Sequence, residues 1–175
     1  MEIVTPSTVL RDWRFDDAAP LARHANNPRI AATMRDAFPS PYSLEDARRF
    51  IAAATGTDEH LVLAIELDGE AVGGIGVHRL GDVYRRTAEI GYWLAESCRG
   101  RGIATDAVRA IVPVAFDRFD LVRLQAGVFS TNPASMRVLE KAGFVREAVH
   151  ANAIWKHGRL HDEVVYVRFG PDAGR

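Results

Sequence analysis

Cysteine is almost missing from this chain: 175 residues include one, Cys98. No disulfide can form within it, and a reducing cytosol is the simple expectation. A charge of one sign is missing too. The 22 Lys and Arg residues face 23 Asp and Glu, for a net charge of −1 with His neutral. Bulk electrostatic binding to nucleic acid needs a basic surface, so no nucleic-acid partner is expected. No apolar run approaches the roughly 20 residues of a membrane span. The opening MEIVTPSTVLRDWR has no basic cluster followed by an apolar stretch, so no signal peptide is read there. The expectation is a cytoplasmic protein with no membrane partner. Repeats and low-complexity linkers are lacking as well, so 1–175 reads as a single domain with one core. Only GPDAGR, after Phe169, reads as loose.

What is present is a mixed succession of strands and helices. Val9 to Phe15 reads as a first strand, and Asp16 or Asp17 is placed to cap a helix running to about Asn26. Pro28 to Arg35 reads as a short helix. Ser43 and Asp46 form a capping-box pattern for a helix to about Ala54. His60 to Leu67 and Glu70 to Leu80 read as strands joined by Asp68-Gly69, the residue types of a tight hairpin turn. Gly73 and Gly74 inside the second strand mark a bulge or a close approach of another backbone. Arg86 to Ala95 is a further strand. Gly102 to Phe119 has helical apolar spacing, interrupted by Pro113, which should bend it. Leu121 to Phe129 is a strand and Asn132 to Ala142 a helix closed by Gly143. Phe144 to Trp155 and Leu160 to Phe169 read as a final strand pair. Antiparallel hairpins, one strand–helix–strand unit and more strands make an α+β pattern.

The chemistry concentrates in CRGRGIATDA, Cys98 to Ala107, between a strand and the longest helix. A helix N-terminus offers unpaired N–H groups and partial positive charge, and so attracts anions. Gly100 and Gly102 let a ligand approach the backbone, while Arg99 and Arg101 add forked donors suited to phosphate. The stretch therefore reads as a phosphate cradle, or else as a glycine turn with solvated arginines. It is not a Walker A loop, since no Gly-Lys-Ser/Thr follows. The dinucleotide spacing fails at Thr105.

Arg99-Gly-Arg-Gly-Ile-Ala resembles the Arg/Gln-x-x-Gly-x-Gly/Ala loop of the GCN5-related N-acetyltransferase (GNAT) superfamily. Glu89-Ile-Gly-Tyr-Trp-Leu directly upstream, Asn132-Pro-Ala-Ser135 opening the next helix, and Leu139-Glu-Lys-Ala-Gly-Phe144 closing it fall in that family's order. The resemblance spans roughly Leu10 to Phe169 and is dense from Glu89 to Glu147. EIGYW and N-x-x-S bring it near the ribosomal-protein N-terminal acetyltransferases. Ala104, at the last glycine position, is a departure the family tolerates.

The resemblance implies a mixed, mostly antiparallel sheet of about seven strands, with helices on both faces and the fourth and fifth strands splayed apart. It implies an enzyme that moves an acetyl group from acetyl-CoA to a primary amine, with no metal. Tyr92, Trp93 and Leu94 would present their strand edge to the pantetheine arm. Gly100, Gly102, Ile103, Ala104 and Thr105 would give N–H groups to the pyrophosphate, with charge from Arg99 and Arg101. Asn132 would bond the pantetheine, or cap its helix, or do both. Ser135 would protonate the leaving thiolate, or simply be a small residue in a crowded slot. Lys141 reads as a solvated lysine rather than a ligand for the 3′-phosphate. Cys98 is rejected as a nucleophile, because the family transfers directly from thioester to amine.

A base must take the amine's proton. Glu89 is the candidate, on the ground that its sequence neighbours are apolar and partial burial would raise its pKa. The other reading is a strand glutamate paired with an arginine such as Arg86 or Arg123. His150, His157, His161 and Glu163 are rivals in the last strand pair. Arg29 to Tyr42 and Trp155 to His161 should build the acceptor side. The acceptor stays open between a protein N-terminus and a small amine such as an antibiotic or polyamine. A non-catalytic acyl-CoA sensor and a homodimer stay open as well.

Overall fold

The computed structural model describes residues 1–56, 58–171 and 173, so half of the GPDAGR tail lies outside the described residues. Eight strands form one sheet in the order β1-β2-β3-β4-β5-β6-β8-β7. They are β1 (Glu2–Val4), β2 (Val9–Asp12), β3 (His60–Leu67), β4 (Glu70–Arg79), β5 (Thr87–Leu94), β6 (Arg123–Phe129), β7 (Val145–Lys156) and β8 (Arg159–Phe169). All neighbours pair antiparallel except β5 and β6, which are parallel. The eighth strand is β1, which the sequence does not announce. Three residues are too few to show alternation, and β1 forms because a Thr5–Thr8 turn folds it onto β2. Thr8 N donates to Thr5 Oγ1 at 2.9 Å, and Thr5 Oγ1 donates to the Thr8 carbonyl at 2.8 Å.

Helices cover both faces. On one side α1 (Ala18–Ala25), α2 (Pro28–Ala31) and α3 (Leu44–Thr55) pack Leu21, Ile30 and Ile51 against Trp13, Ala64 and Trp93. On the other, α4 (Ile103–Phe119) and α5 (Pro133–Lys141) bury Val108, Ile111 and Leu139 against Ile75, Ile90 and Leu124. The capping box holds: Ser43 Oγ accepts from Asp46 N at 3.1 Å, and Asp46 Oδ2 accepts from Ser43 N at 2.9 Å. Asp68 and Gly69 have φ of 51° and 83°, as a two-residue hairpin turn requires. Gly73 is a close approach, since a Cβ there would lie 2.5 Å from the Trp93 carbonyl oxygen. Helix α4 continues through Pro113 as one element. Among the described residues no helix is long and apolar enough to cross a membrane.

Asp17 departs from expectation, because its side chain does not cap α1. It is buried, accepts two bonds from the Arg11 guanidinium at 2.7 and 2.8 Å, and accepts from Arg14 N at 2.8 Å. Burial is the largest single effect and disfavours its charge, but the Arg11 hydrogen bonds, the Arg14 N–H bond and the charges of both arginines together outweigh it and hold the carboxyl below the usual range. Glu66 also accepts from Arg11 Nε.

Candidate active site

The parallel pairing of β5 with β6 covers only Thr87–Glu89 against Arg123–Gln125. Beyond that point the two strands part. From Ile90 to Leu94, β5 keeps its antiparallel partner β4, but its other edge faces no strand. This is the expected splay, shifted by one strand number because of β1. Tyr92, Trp93 and Leu94 lie on this open stretch.

The chain then reaches α4 through Cys98 to Gly102. Gly100 and Gly102 have φ of 77° and 82°, the left-handed region that side chains resist. A Cβ at either would meet nothing within 4 Å. Glycine is therefore needed here for backbone conformation, and the space above it is clear. Gly102 is the N-cap of α4 and no side chain caps that helix. Among the described residues no side chain bonds the first-turn N–H groups of Ile103, Ala104 and Thr105. Arg99 and Arg101 are exposed beside them. Cys98 is buried in the core under this turn, where it cannot serve as a surface nucleophile. Lys141 is exposed at the far end of α5.

Across the gap stands the N-terminus of α5. Asn132 Oδ1 accepts from Ser135 N at 3.2 Å, so the capping role is present. Tyr92 Oη lies 2.8 Å from Ser135 Oγ and donates toward the Ser135 carbonyl at 3.2 Å. This contact spans the splayed strand and the helix. Burial pushes the Tyr92 hydroxyl up to about 12, against a smaller opposing effect of the Ser135 bond, so it is a neutral donor at pH 7.

On the sheet face that carries α1 to α3, a cleft of about 340 Å³ opens at the end of the β5–β6 pairing. Glu89, Arg123, Gln125, His150 and Glu163 line it, and Arg35 reaches in from the loop after α2. Glu89 is ion-paired with Arg35. Two expectations are corrected here. The carboxylate is not in apolar surroundings: Ala88 and Ile90 alternate onto the opposite, core-facing side, as strand neighbours must. Its arginine is neither Arg86, which pairs with Asp120 at 2.8 Å, nor Arg123, which pairs with Glu147. His78, on β4 directly opposite Glu89, is held below its usual range, first by burial and then by the neighbouring His60. Of the rivals, His150 and Glu163 reach the cleft and each other, 3.0 Å from Nδ1 to Oε2. His157 sits in the turn between β7 and β8, and the His161 ring lies 6.2 Å from that of Phe129.

A sequence model of the acetyltransferase (GNAT) domain matches residues 8–145. The Bacillus subtilis protein YdaF is 34% identical over 142 residues, 81% of this chain and 72% of its own. The chain belongs to the GNAT acetyltransferase family. The Escherichia coli ribosomal-protein-serine acetyltransferase is 32% identical over 101 residues, 58% of this chain and 56% of that one. The structure of RimL, a ribosomal alpha-N-protein acetyltransferase in complex with coenzyme A, superposes with a TM-score of 0.85. It covers 99% of both chains at 23% identity, which is a likeness of fold.

As a GNAT member the protein is an acyltransferase, and the splayed sheet with helices on both faces is the GNAT fold. Among the described residues no group of three or more His, Cys, Asp or Glu side chains could hold a metal ion. The GNAT motifs lead to the gap, the glycine loop and Ser135. They do not lead to Arg35, Gln125 or Gly127 on the other side of the sheet. Nor do they show that the two segments expected to flank the acceptor meet. They do meet: Lys156 Nζ donates to Asp36 Oδ1 at 2.7 Å.

Proposed function

We propose that this enzyme transfers the acetyl group of acetyl-CoA directly to the α-amine of a protein or peptide N-terminus. The observation that carries the proposal is the open edge of β5 leading into an uncapped helix N-terminus behind two left-handed glycines. A pantetheine arm laid along Tyr92, Trp93 and Leu94 would complete the sheet edge that β6 leaves unpaired. Its pyrophosphate would then reach the N–H groups of Gly100, Gly102, Ile103, Ala104 and Thr105, flanked by Arg99 and Arg101. Asn132 caps α5 through Oδ1 alone, which leaves Nδ2 to donate to the pantetheine.

The thioester would lie between Ser135 and the cleft. Ser135 would donate to sulfur as the C–S bond breaks, with Tyr92 Oη behind it. Glu89 would accept a proton from the attacking nitrogen. A Cβ at Gly91, two residues along the same strand, would meet nothing within 4 Å, so that face is open to the reacting groups. A terminal α-amine suits the site because its pKa of about 7.7–8.0, against about 10.4 for lysine, makes it easier to render neutral. The names of the ribosomal relatives support the same acceptor class.

The test is a turnover screen with acetyl-CoA against peptides with free α-amines, the same peptides with only a lysine amine, and small polyamines. Preferential turnover of the α-amines is expected. Turnover confined to small amines would move the acceptor to that class, and acetyl-CoA binding without turnover of any amine would make the protein a sensor.

A further inference from the structure

The acceptor chemistry needs two proton removals, and the cleft holds two separate proton acceptors. An α-amine arrives mostly as R–NH₃⁺ at neutral pH. The product amide keeps one hydrogen on nitrogen. As the N–C bond forms and sulfur leaves with the C–S electron pair, nitrogen therefore loses two protons. The products carry one on the CoA thiol and release the other to solvent.

We propose that His150, oriented by Glu163, strips the first proton from the incoming ammonium, leaving Glu89 for the second. This rests on the reading of the acceptor as an amine. The geometry is that of a held imidazole. His150 Nδ1 donates to Glu163 Oε2 at 3.0 Å, which leaves the Nε2 lone pair to accept. His150 is exposed at the cleft, where it can pass the proton on to water. Glu163 is in place because position 127 is glycine. A Cβ at Gly127 would lie 2.3 Å from Glu163 Oε1, so the carboxylate occupies the space a side chain would fill. The pairing is a cross-strand one, His150 opposite Glu163, with the β7 register shifting directly after His150.

The charged groups facing His150 come from four other segments and from its own. They are Glu163 on β8, Arg123 on β6, Glu89 on β5, Arg35 from the loop after α2, and Glu147 on β7. Arg35 with Glu89 and Arg123 with Glu147 are ion-paired, which leaves Glu163 as the carboxylate given to the imidazole. An α-amine, with a pKa of about 7.7–8.0 against about 10.4 for lysine, gives up its first proton to such a base far more readily. The dyad would thereby help a terminal amine and do little for a lysine.

The experiment is a set of kcat/KM–pH profiles, from about pH 6.5 to 9.5, with one peptide bearing a free α-amine. The proteins are the wild type, His150→Gln, Glu163→Gln, Gly127→Ala and Glu89→Gln. His150→Gln should lose about 10²-fold at pH 7 and converge on the wild type above about pH 9, where the amine is already neutral. Glu163→Gln and Gly127→Ala should show the same convergence from a smaller loss. Glu89→Gln should keep a deficit at high pH, because attack still needs its base. Gly127→Ala keeps the test informative if a dyad variant folds poorly, since only the mobile end of Glu163 has to move. Profiles of His150→Gln that overlay the wild type, or that lie below it by the same factor at every pH, would overturn the dyad while leaving the transferase reading intact. A wild type inactive on every amine would overturn both.

Discussion

Ser135 shows how much one side chain is asked to do. Its N–H donates to the Asn132 cap, its carbonyl accepts from Tyr92 Oη, and its hydroxyl, 2.8 Å from Tyr92 Oη, would serve the leaving thiolate in the proposed reaction. Removing only the hydroxyl keeps the first two bonds. Ser135→Ala should therefore leave helix and fold intact and acetyl-CoA affinity nearly unchanged, while kcat falls about 10²-fold, the usual scale for one proton-transfer group. An interaction made only as the C–S bond breaks lowers kcat and kcat/KM together. Calorimetry with a non-reactive CoA thioether, beside steady-state kinetics, separates the two effects. Equal proportional losses in affinity and rate would assign Ser135 to binding alone. The sequence places Ser135 through its motif. It gives no hint of Arg35 on Glu89, because a loop residue and a strand residue 54 positions apart share no spacing that marks their contact.

At the scale of elements, the α4 entry was readable because its demand is local. Two residues must sit at positive φ, and only glycine does this without strain. Gly102→Val imposes a branched side chain on a left-handed position and fills the space over the loop. The protein should still fold, at a cost of about 1–2 kcal/mol, and acetyl-CoA binding should be lost. Circular dichroism with titration calorimetry checks both, and unchanged affinity in the folded variant would remove the loop from the site. Other elements were less readable for the same reason in reverse. The three residues of β1 acquire strand structure only from β2, and the His150–Glu163 pairing depends on irregular register in β7. Long-range pairing decided both, and a single sequence does not display it.

Within the described residues a charged cluster lies buried in the N-terminal half, Arg11 with Asp17 and Glu66. The folded Asp17 carboxyl sits below its ordinary value of 3.8. Its contribution to stability is therefore complete above that value and fades as pH falls through it toward the folded pKa. Asp17→Asn leaves a buried guanidinium with one carboxylate fewer, and should cost about 3 kcal/mol near neutrality. The gap between variant and wild type should narrow below about pH 4. Urea unfolding at several pH values measures this, and a gap independent of pH would assign the loss to packing. The α+β class and the order of the long helices and strands were legible, because each long element has its own periodicity. The sequence offers Asp16 or Asp17 as a helix cap, because a buried acid and a capping acid look alike until the partner strand is known.

The parting of β5 from β6 has a consequence for how the protein ages in a cell. A sheet with an open seam has amide groups on one internal edge that only solvent can satisfy until a ligand lies there. Anything that fills the seam binds the folded chain and not the unfolded one, so it adds RT ln(1 + [L]/Kd) to stability. With the donor seated as proposed, the lifetime of the enzyme would be tied to the supply of its own acyl donor. When the donor is scarce the seam would stand open, and limited proteolysis should then cleave the chain faster than it does with acetyl-CoA present.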